Sequence, residues 1–174
     1  MNSLIALCGS SKSGKTTIAV RVAEELHCRV ASFGAFVRKE ARKKGLTNPT
    51  RRQLQDIGDH LATRDMQGFC KAVLDDTGFE PGSPLVIDGI RHTEAVEAIQ
   101  KLIPDQVLKL VYLETDLSTR AKRAGLTAEE MKCVDSHQVE SQSTKLRSLA
   151  NLVLDTSGSN ETSLAQVFLF LGLR

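Results

Sequence analysis

The chain has 174 residues, 41% of them hydrophobic and 25% charged, with a formal net charge of +2. This describes one ordinary soluble domain, long enough to bury a real core; the near-balanced charge excludes a dedicated nucleic-acid surface, and no apolar stretch approaches the roughly 20 residues that span a bilayer. Cys8, Cys28, Cys70 and Cys133 form no CxxC pair, and His27, His60, His92 and His137 show no metal-ligand spacing, so a zinc site is not expected and the thiols suggest a reduced, cytoplasmic setting.

Leu4-Ile5-Ala6-Leu7-Cys8 reads as a buried strand. It runs directly into Gly9-Ser10-Ser11-Lys12-Ser13-Gly14-Lys15-Thr16, the phosphate-binding pattern GxxxxGK[ST]. An amphipathic helix follows, with Ile18, Ala19, Val22, Ala23 and Leu26 on one face. The apolar N-terminal run is therefore expected to be a strand and not a signal peptide. A strand, loop and helix in this register let backbone N–H groups wrap a phosphate chain while the helix N-terminus adds its partial positive charge. Lys15, expected to be exposed on the loop, would reach the β- and γ-phosphates of ATP. Thr16 would offer its hydroxyl to Mg²⁺, and Thr17 is counted with the nucleotide-binding positions.

A short strand, Arg29 to Ser32, comes next, then a helix that passes Arg38 and Glu40 and stops at Gly45. Asn48-Pro49 marks a turn, and Thr50 with Gln53 forms a capping box opening a helix with Leu54, Ile57 and Leu61 on its buried face. A further helical segment carries Met66, Phe69, Cys70 and Val73. After the loop from Glu80 to Pro84, Leu85-Val86-Ile87 is a buried strand ending at Asp88-Gly89, and a helix then presents Val96, Ile99 and Ile103. Gln106 to Leu113 reads as another strand. Residues 115–150 are polar and helix-prone, with a capping box at Thr127 and Glu130. Leu152-Val153-Leu154 is the last strand, and Leu164, Val167, Phe168 and Leu171 form the core face of a final helix. The alternation predicts an α/β fold of three layers, a five-stranded parallel sheet with helices on both faces, as one domain over 1–174.

Ligands of open α/β sheets bind beyond the carboxyl ends of the strands. The phosphate loop, Ser32-Phe33-Gly34, Asp88-Gly89-Ile90-Arg91 and the chain after Thr115 all follow strands, so they converge on one rim. Asp88 is placed to hold Mg²⁺ through water, or else to cap a helix or turn. Gly89 follows it where many mechanical ATPases carry a water-activating glutamate, which favours transfer to a bound acceptor over hydrolysis. No Asn-Lys-x-Asp occurs, which argues against a GTPase. Arg38, Arg91, Arg120 and Arg123 stand at rim positions, where guanidinium forks suit phosphate oxygens, although any one of them alone reads as a solvated side chain.

Together these motifs resemble the nucleoside monophosphate kinase group, and the resemblance covers nearly the whole chain. Ser32-Phe33-Gly34-Ala35-Phe36-Val37-Arg38 is similar to the acceptor segment of adenylate and cytidylate kinases, which assigns Gly34 and Arg38 to the acceptor and makes about 33–76 the acceptor-binding helices. Asp88-Gly89-Ile90-Arg91 resembles their metal and acceptor-phosphate region, with the arginine one residue closer than in adenylate kinases. Arg120 and Arg123 match the start of a short lid over about 116–148 and are implied to act in transfer. Ser157 and Gly158 match the donor-base loop. The chain also resembles small dephospho-coenzyme A kinase-like proteins, yet Val30-Ala31-Ser32 lacks the acid that true dephospho-coenzyme A kinases carry after the second strand. Gln55 either offers its amide to an acceptor base or faces solvent. Asp135, His137 and Glu140 either cap and pair along a helix or take part in closing the lid.

The expected function is transfer of the γ-phosphate of ATP to a nucleoside or deoxynucleoside monophosphate by a monomer or weak dimer, with Lys15, Arg91, Arg120 and Arg123 catalytic and Thr16 and Asp88 on Mg²⁺. The alternatives are a kinase for another small acceptor such as dephospho-coenzyme A, with Asp59 the only nameable base, and a regulatory ATPase that binds nucleotide without transfer.

Overall fold

The computed structural model describes residues 3–135 and 145–173. Five strands, β1 (Leu4–Gly9), β2 (Arg29–Ser32), β3 (Leu85–Ile90), β4 (Leu108–Glu114) and β5 (Leu152–Asp155), form one parallel sheet in the order β2-β3-β1-β4-β5. The helices in chain order are α1 (Lys15–Glu25), α2 (Phe33–Lys43), α3 (Arg51–Arg64), α4 (Met66–Thr77), α5 (Thr93–Leu102), α6 (Leu117–Ala124), α7 (Ala128–Asp135) and α8 (Asn160–Leu171). The sheet has the expected five parallel strands with helices on both faces.

Strand alternation explains the two layers of core. Side chains at successive positions point to opposite faces. On one face Ile5 and Leu7 of β1 pack with Ile18 and Val22 of α1 and with Leu164 and Val167 of α8. On the other, Leu4, Ala6 and Cys8 pack with Phe69, Cys70 and Val73 of α4 and Ile99 of α5. β1 lies between β3 and β4 and is buried along its whole length, so its apolar run shows no polar alternation.

The connection leaving β1 runs to one side of the sheet and the connection leaving β3 crosses to the other. The carboxyl end of β1 is therefore the point where the strand order reverses, and a crevice opens there. Gly9, the last residue of β1, has φ 129°, and a Cβ on it would come within 2.2 Å of the Leu113 carbonyl oxygen. Only glycine lets the chain leave the sheet this close to β4.

Two strand limits differ from the sequence expectation. β3 continues through Asp88 to Ile90, with a register shift against β1 between Leu7 and Cys8, and Gly89 takes φ 88° at that irregularity. A polar residue inside the strand is tolerated because Asp88 is bonded to Thr16 of α1 rather than left in the apolar layer. β4 starts at Leu108, not Gln106. Gln106 is buried before the strand, where its amide accepts from the Gly82 N–H and donates to the Ser83 carbonyl, pinning the 80–84 loop.

Candidate active site

The phosphate loop is held in shape from three directions. Lys15 is buried as the first residue of α1, not exposed on the loop as expected; its Nζ donates to the Gly9 carbonyl (2.8 Å), the Ser10 carbonyl (2.6 Å) and Ser13 Oγ (3.2 Å). Thr156, just past β5, donates from Oγ1 to the Ser13 carbonyl (2.8 Å) and also meets the Thr115 hydroxyl at the end of β4. Arg123 of α6 donates to the Lys12 carbonyl (3.4 Å) and, through Nη2, to the Thr156 carbonyl (2.7 Å). These bonds occupy loop carbonyls, as befits a loop that offers its N–H groups to a ligand.

Thr16 donates from Oγ1 to Asp88 Oδ2 at 2.8 Å. The other oxygen, Oδ1, is buried with no hydrogen-bond partner. A buried carboxylate oxygen without a donor is costly unless a cation or water serves it, so the pair Thr16–Asp88 fits a divalent cation. Among the described residues no group of three or more His, Cys, Asp and Glu is placed to hold a metal. Mg²⁺ bound with a nucleotide takes its other ligands from phosphate and water. Cys8 lies in the strand below, its thiol pushed up to about 12 by burial; it stays protonated and donates to the Val111 carbonyl.

Beside the loop lies a cavity of about 480 Å³. Among the described residues, its apolar floor comes from Phe33, Leu54, Met66 and Phe69, and its charged lining from Lys12, Arg38, Arg51, Arg91 and Asp59. Met131 and Val134 of α7 also line it. Gly34, Arg38, Gln55 and Arg91 all line this space, so the residues expected at the acceptor side are brought together. Gln55 is not simply solvent-facing: its Nε2 is buried and lacks a partner. Asp59 Oδ1 lies 3.5 Å from His92 Nε2, and burial pushes the His92 pKa below its ordinary value despite the pull of Asp59.

The α6–α7 segment differs from expectation at Arg120. Its side chain is buried and its guanidinium meets Asp135 in a bidentate pair, 2.7 Å at each nitrogen, while Nε donates to the Thr115 carbonyl. In this structure Arg120 clamps α6 to α7, and Asp135 takes the pairing role considered for it. Arg123, by contrast, is exposed at the loop. His137 and Glu140 lie outside the described residues. Ser157 accepts at Oγ from the Asp116 N–H, which fixes the turn after β5 to the start of α6, and a Cβ on Gly158 would meet nothing within 4 Å. Thr17 is exposed on the first turn of α1.

Two contributors escaped the sequence reading. Arg51, the first residue of α3, donates from Nη1 to Ser11 Oγ at 2.5 Å and lines the cavity. Its only signal was its place after the Thr50 cap. Thr156 follows a short strand with nothing to mark it as a support of a loop more than a hundred residues away.

A family model described as an AAA domain matches residues 5–141. Relatives include a UPF0200 protein of Pyrobaculum aerophilum, 33% identical over 71% of this chain and 65% of its own length. A UPF0200 protein of Aeropyrum pernix is 32% identical over 56% of this chain and 51% of its own length. The chain thus spans only about half to two thirds of the length of these two relatives. Among solved structures it is similar to a shikimate kinase from Bacteroides thetaiotaomicron, with TM-score 0.64, 14% identity and 98% and 99% of the two chains covered. A sugar kinase from Janibacter sp. aligns with TM-score 0.57 at 17% identity over 98% and 95%. These likenesses show a P-loop kinase fold. With its phosphate loop at the switch point of such a sheet and a match over most of its length, the chain belongs to the AAA domain family.

Proposed function

We propose that this protein transfers the γ-phosphate of ATP to a nucleoside or deoxynucleoside monophosphate. The observation that carries the reading is the cavity beside the phosphate loop, in which Arg38 and Arg91 stand over an apolar floor. Arginines suit the acceptor's phosphate and the floor suits its base, with the Gln55 amide to meet a polar base edge. Thr16 and Asp88 would hold Mg²⁺, which neutralises charge on the β- and γ-phosphate oxygens.

In the transfer an acceptor phosphate oxygen forms a bond to the γ-phosphorus as the bond to the ADP oxygen breaks. The attacking oxygen is already ionised, so no base has to take a proton. Catalysis then consists of positioning and electrostatic stabilisation of the transferring oxygens. Lys15 and Arg123 stand on the donor side, and the α6–α7 cover keeps water from competing for the phosphoryl group.

A second reading, a hydroxyl-bearing acceptor, is favoured by the Asp59–His92 pair in the same cavity, since a hydroxyl must lose a proton and a carboxylate could accept it. A coupled assay of ADP release against a panel of monophosphates and hydroxyl compounds tests both. Release that depends on one monophosphate is expected. Release driven only by a hydroxyl compound selects the second reading, and slow release indifferent to every acceptor rejects both in favour of a nucleotide-sensing protein.

A further inference from the structure

We infer that Gln55, Gly58 and Asp59 form the base-reading strip of the cavity and select an acceptor whose base carries an exocyclic amino group; this deepens, and rests on, the reading of that cavity as a monophosphate site. The three residues belong to α3 and all line the cavity. Helix positions three and four apart share one face, with about 5–6 Å between Cβ atoms, so the amide, the bare backbone of the glycine and the carboxylate are neighbours there.

A glycine inside a helix costs about 1 kcal/mol against alanine. Among the described residues a Cβ on Gly58 would meet just Val37 Cγ2, at 3.6 Å, an ordinary contact. Packing against α2 therefore does not demand the glycine; its effect is to let a ligand approach the backbone of α3, as a planar ring requires. Gln55 Nε2 is buried without a hydrogen-bond partner, a cost that an acceptor atom on a ligand removes. The last torsion of a glutamine is soft, so the amide can turn to meet that atom. Asp59 Oδ1 stands 3.5 Å from His92 Nε2, longer than an ordinary N–H···O bond. Burial lowers the His92 pKa, so at neutral pH the ring is uncharged and leaves the carboxylate its demand for a donor.

A carboxylate only accepts, so it faces an N–H of the base, while the amide donates to a ring nitrogen or carbonyl beside it. Adenine and cytosine set an amino group next to an acceptor ring nitrogen, and guanine sets its amino group and ring N–H beside a carbonyl. Thymine has no amino group, and its ring N–H lies between carbonyls, which places a carbonyl oxygen against the carboxylate. Phe33 and Phe69 are left to pack on the faces of the ring.

The full chain is saturated with Mg²⁺ and a non-hydrolysable ATP analogue and titrated by calorimetry with dAMP, dCMP, dGMP and dTMP, which share sugar and phosphate. One or more of the amino-bearing three is expected to bind about tenfold or more tightly than dTMP. Asp59→Asn puts a donor beside the acceptor, so dTMP should gain affinity and the ratio should fall below about threefold. A carboxylate that merely repels phosphate would instead let all four monophosphates gain equally and keep the ratio, which overturns the inference. Gln55→Leu should weaken the preferred monophosphate about tenfold while affinity for the ATP analogue moves less than about threefold, and it supplies the test if Asp59→Asn does not fold. Equal loss of both affinities in Gln55→Leu also overturns the strip. Monophosphates that bind with no preference for an amino-bearing base remove the strip's role alone. If no monophosphate binds, the monophosphate reading falls and the strip's role falls with it.

Discussion

Lys15 shows how one side chain can serve two ends. Its ammonium holds the carbonyls of Gly9 and Ser10 and the hydroxyl of Ser13, and the same group is the one a triphosphate would attract. Lys15→Ala is predicted to lower turnover by about 10³-fold, the scale of losing one preorganised charge from a transition state. It should also cost about 1–2 kcal/mol of stability, because loop acceptors lose their donor. Steady-state kinetics and a denaturant titration measure the two effects separately; unchanged turnover would remove Lys15 from the reaction. His92 makes a different prediction. Burial lowers its pKa from 6.5, so the folded protein binds fewer protons there than the unfolded chain. The resulting stability is present above pH 6.5 and is lost as pH falls towards the lower folded value. Denaturant midpoints of wild type and His92→Gln, compared at neutral and mildly acid pH, should show an acid-side loss that the variant lacks.

The α6–α7 pair borders the cavity through Met131 and Val134 of α7. α6 is capped by Asp116, which accepts from the Thr119 N–H at 2.8 Å and whose hydrogen bonds with Ser118 and Thr119 hold its carboxyl far below the usual range. The Thr127–Glu130 capping box, present as read from the sequence, starts α7. Between the two helices the Arg120–Asp135 pair carries the connection. Asp135→Ala would remove the bidentate acceptor of a buried guanidinium, and we predict a loss of about 2 kcal/mol in stability. Joint replacement by Arg120→Met and Asp135→Leu is expected to recover part of it, because an apolar pair needs no desolvation of charge. Chemical denaturation of the three variants tests this, and equal destabilisation of single and double variants would show that the pair does not couple the helices.

At the scale of the whole molecule, the sheet order sets the phosphate loop and the helices of the proposed acceptor side around one crevice. Binding in both halves should therefore stabilise the same folded state. An ATP analogue at 100 times its dissociation constant is expected to add about 2.7 kcal/mol, which for a chain of this size raises Tm by roughly 5–10 °C. A cognate monophosphate should add a further rise on top of the nucleotide, read by calorimetric melting. A monophosphate that produces no added shift with any base or sugar would argue against the acceptor assignment.

By itself the sequence determined what depends on neighbours along the chain. The apolar β1 run, the GxxxxGK[ST] loop and the 3.6-residue stripe of α1 are contiguous, so periodicity and turn chemistry identify them, and both capping boxes are set by residues three apart. The parallel sheet was legible for the same reason, since alternating strand and helix patterns leave few other arrangements. Tertiary structure alone decided what depends on distant pairs. Asp88 is tolerated within β3 because Thr16, 72 residues away, donates a hydrogen bond to its carboxylate. Arg120 is buried because Asp135 closes on it, and Arg51 enters the site because Ser11 lies 40 residues earlier and yet within one hydrogen bond. A lone arginine or threonine has no period and no local partner to mark it. Its role is set only when folding brings its partner within about 3 Å, the short range over which a hydrogen bond acts.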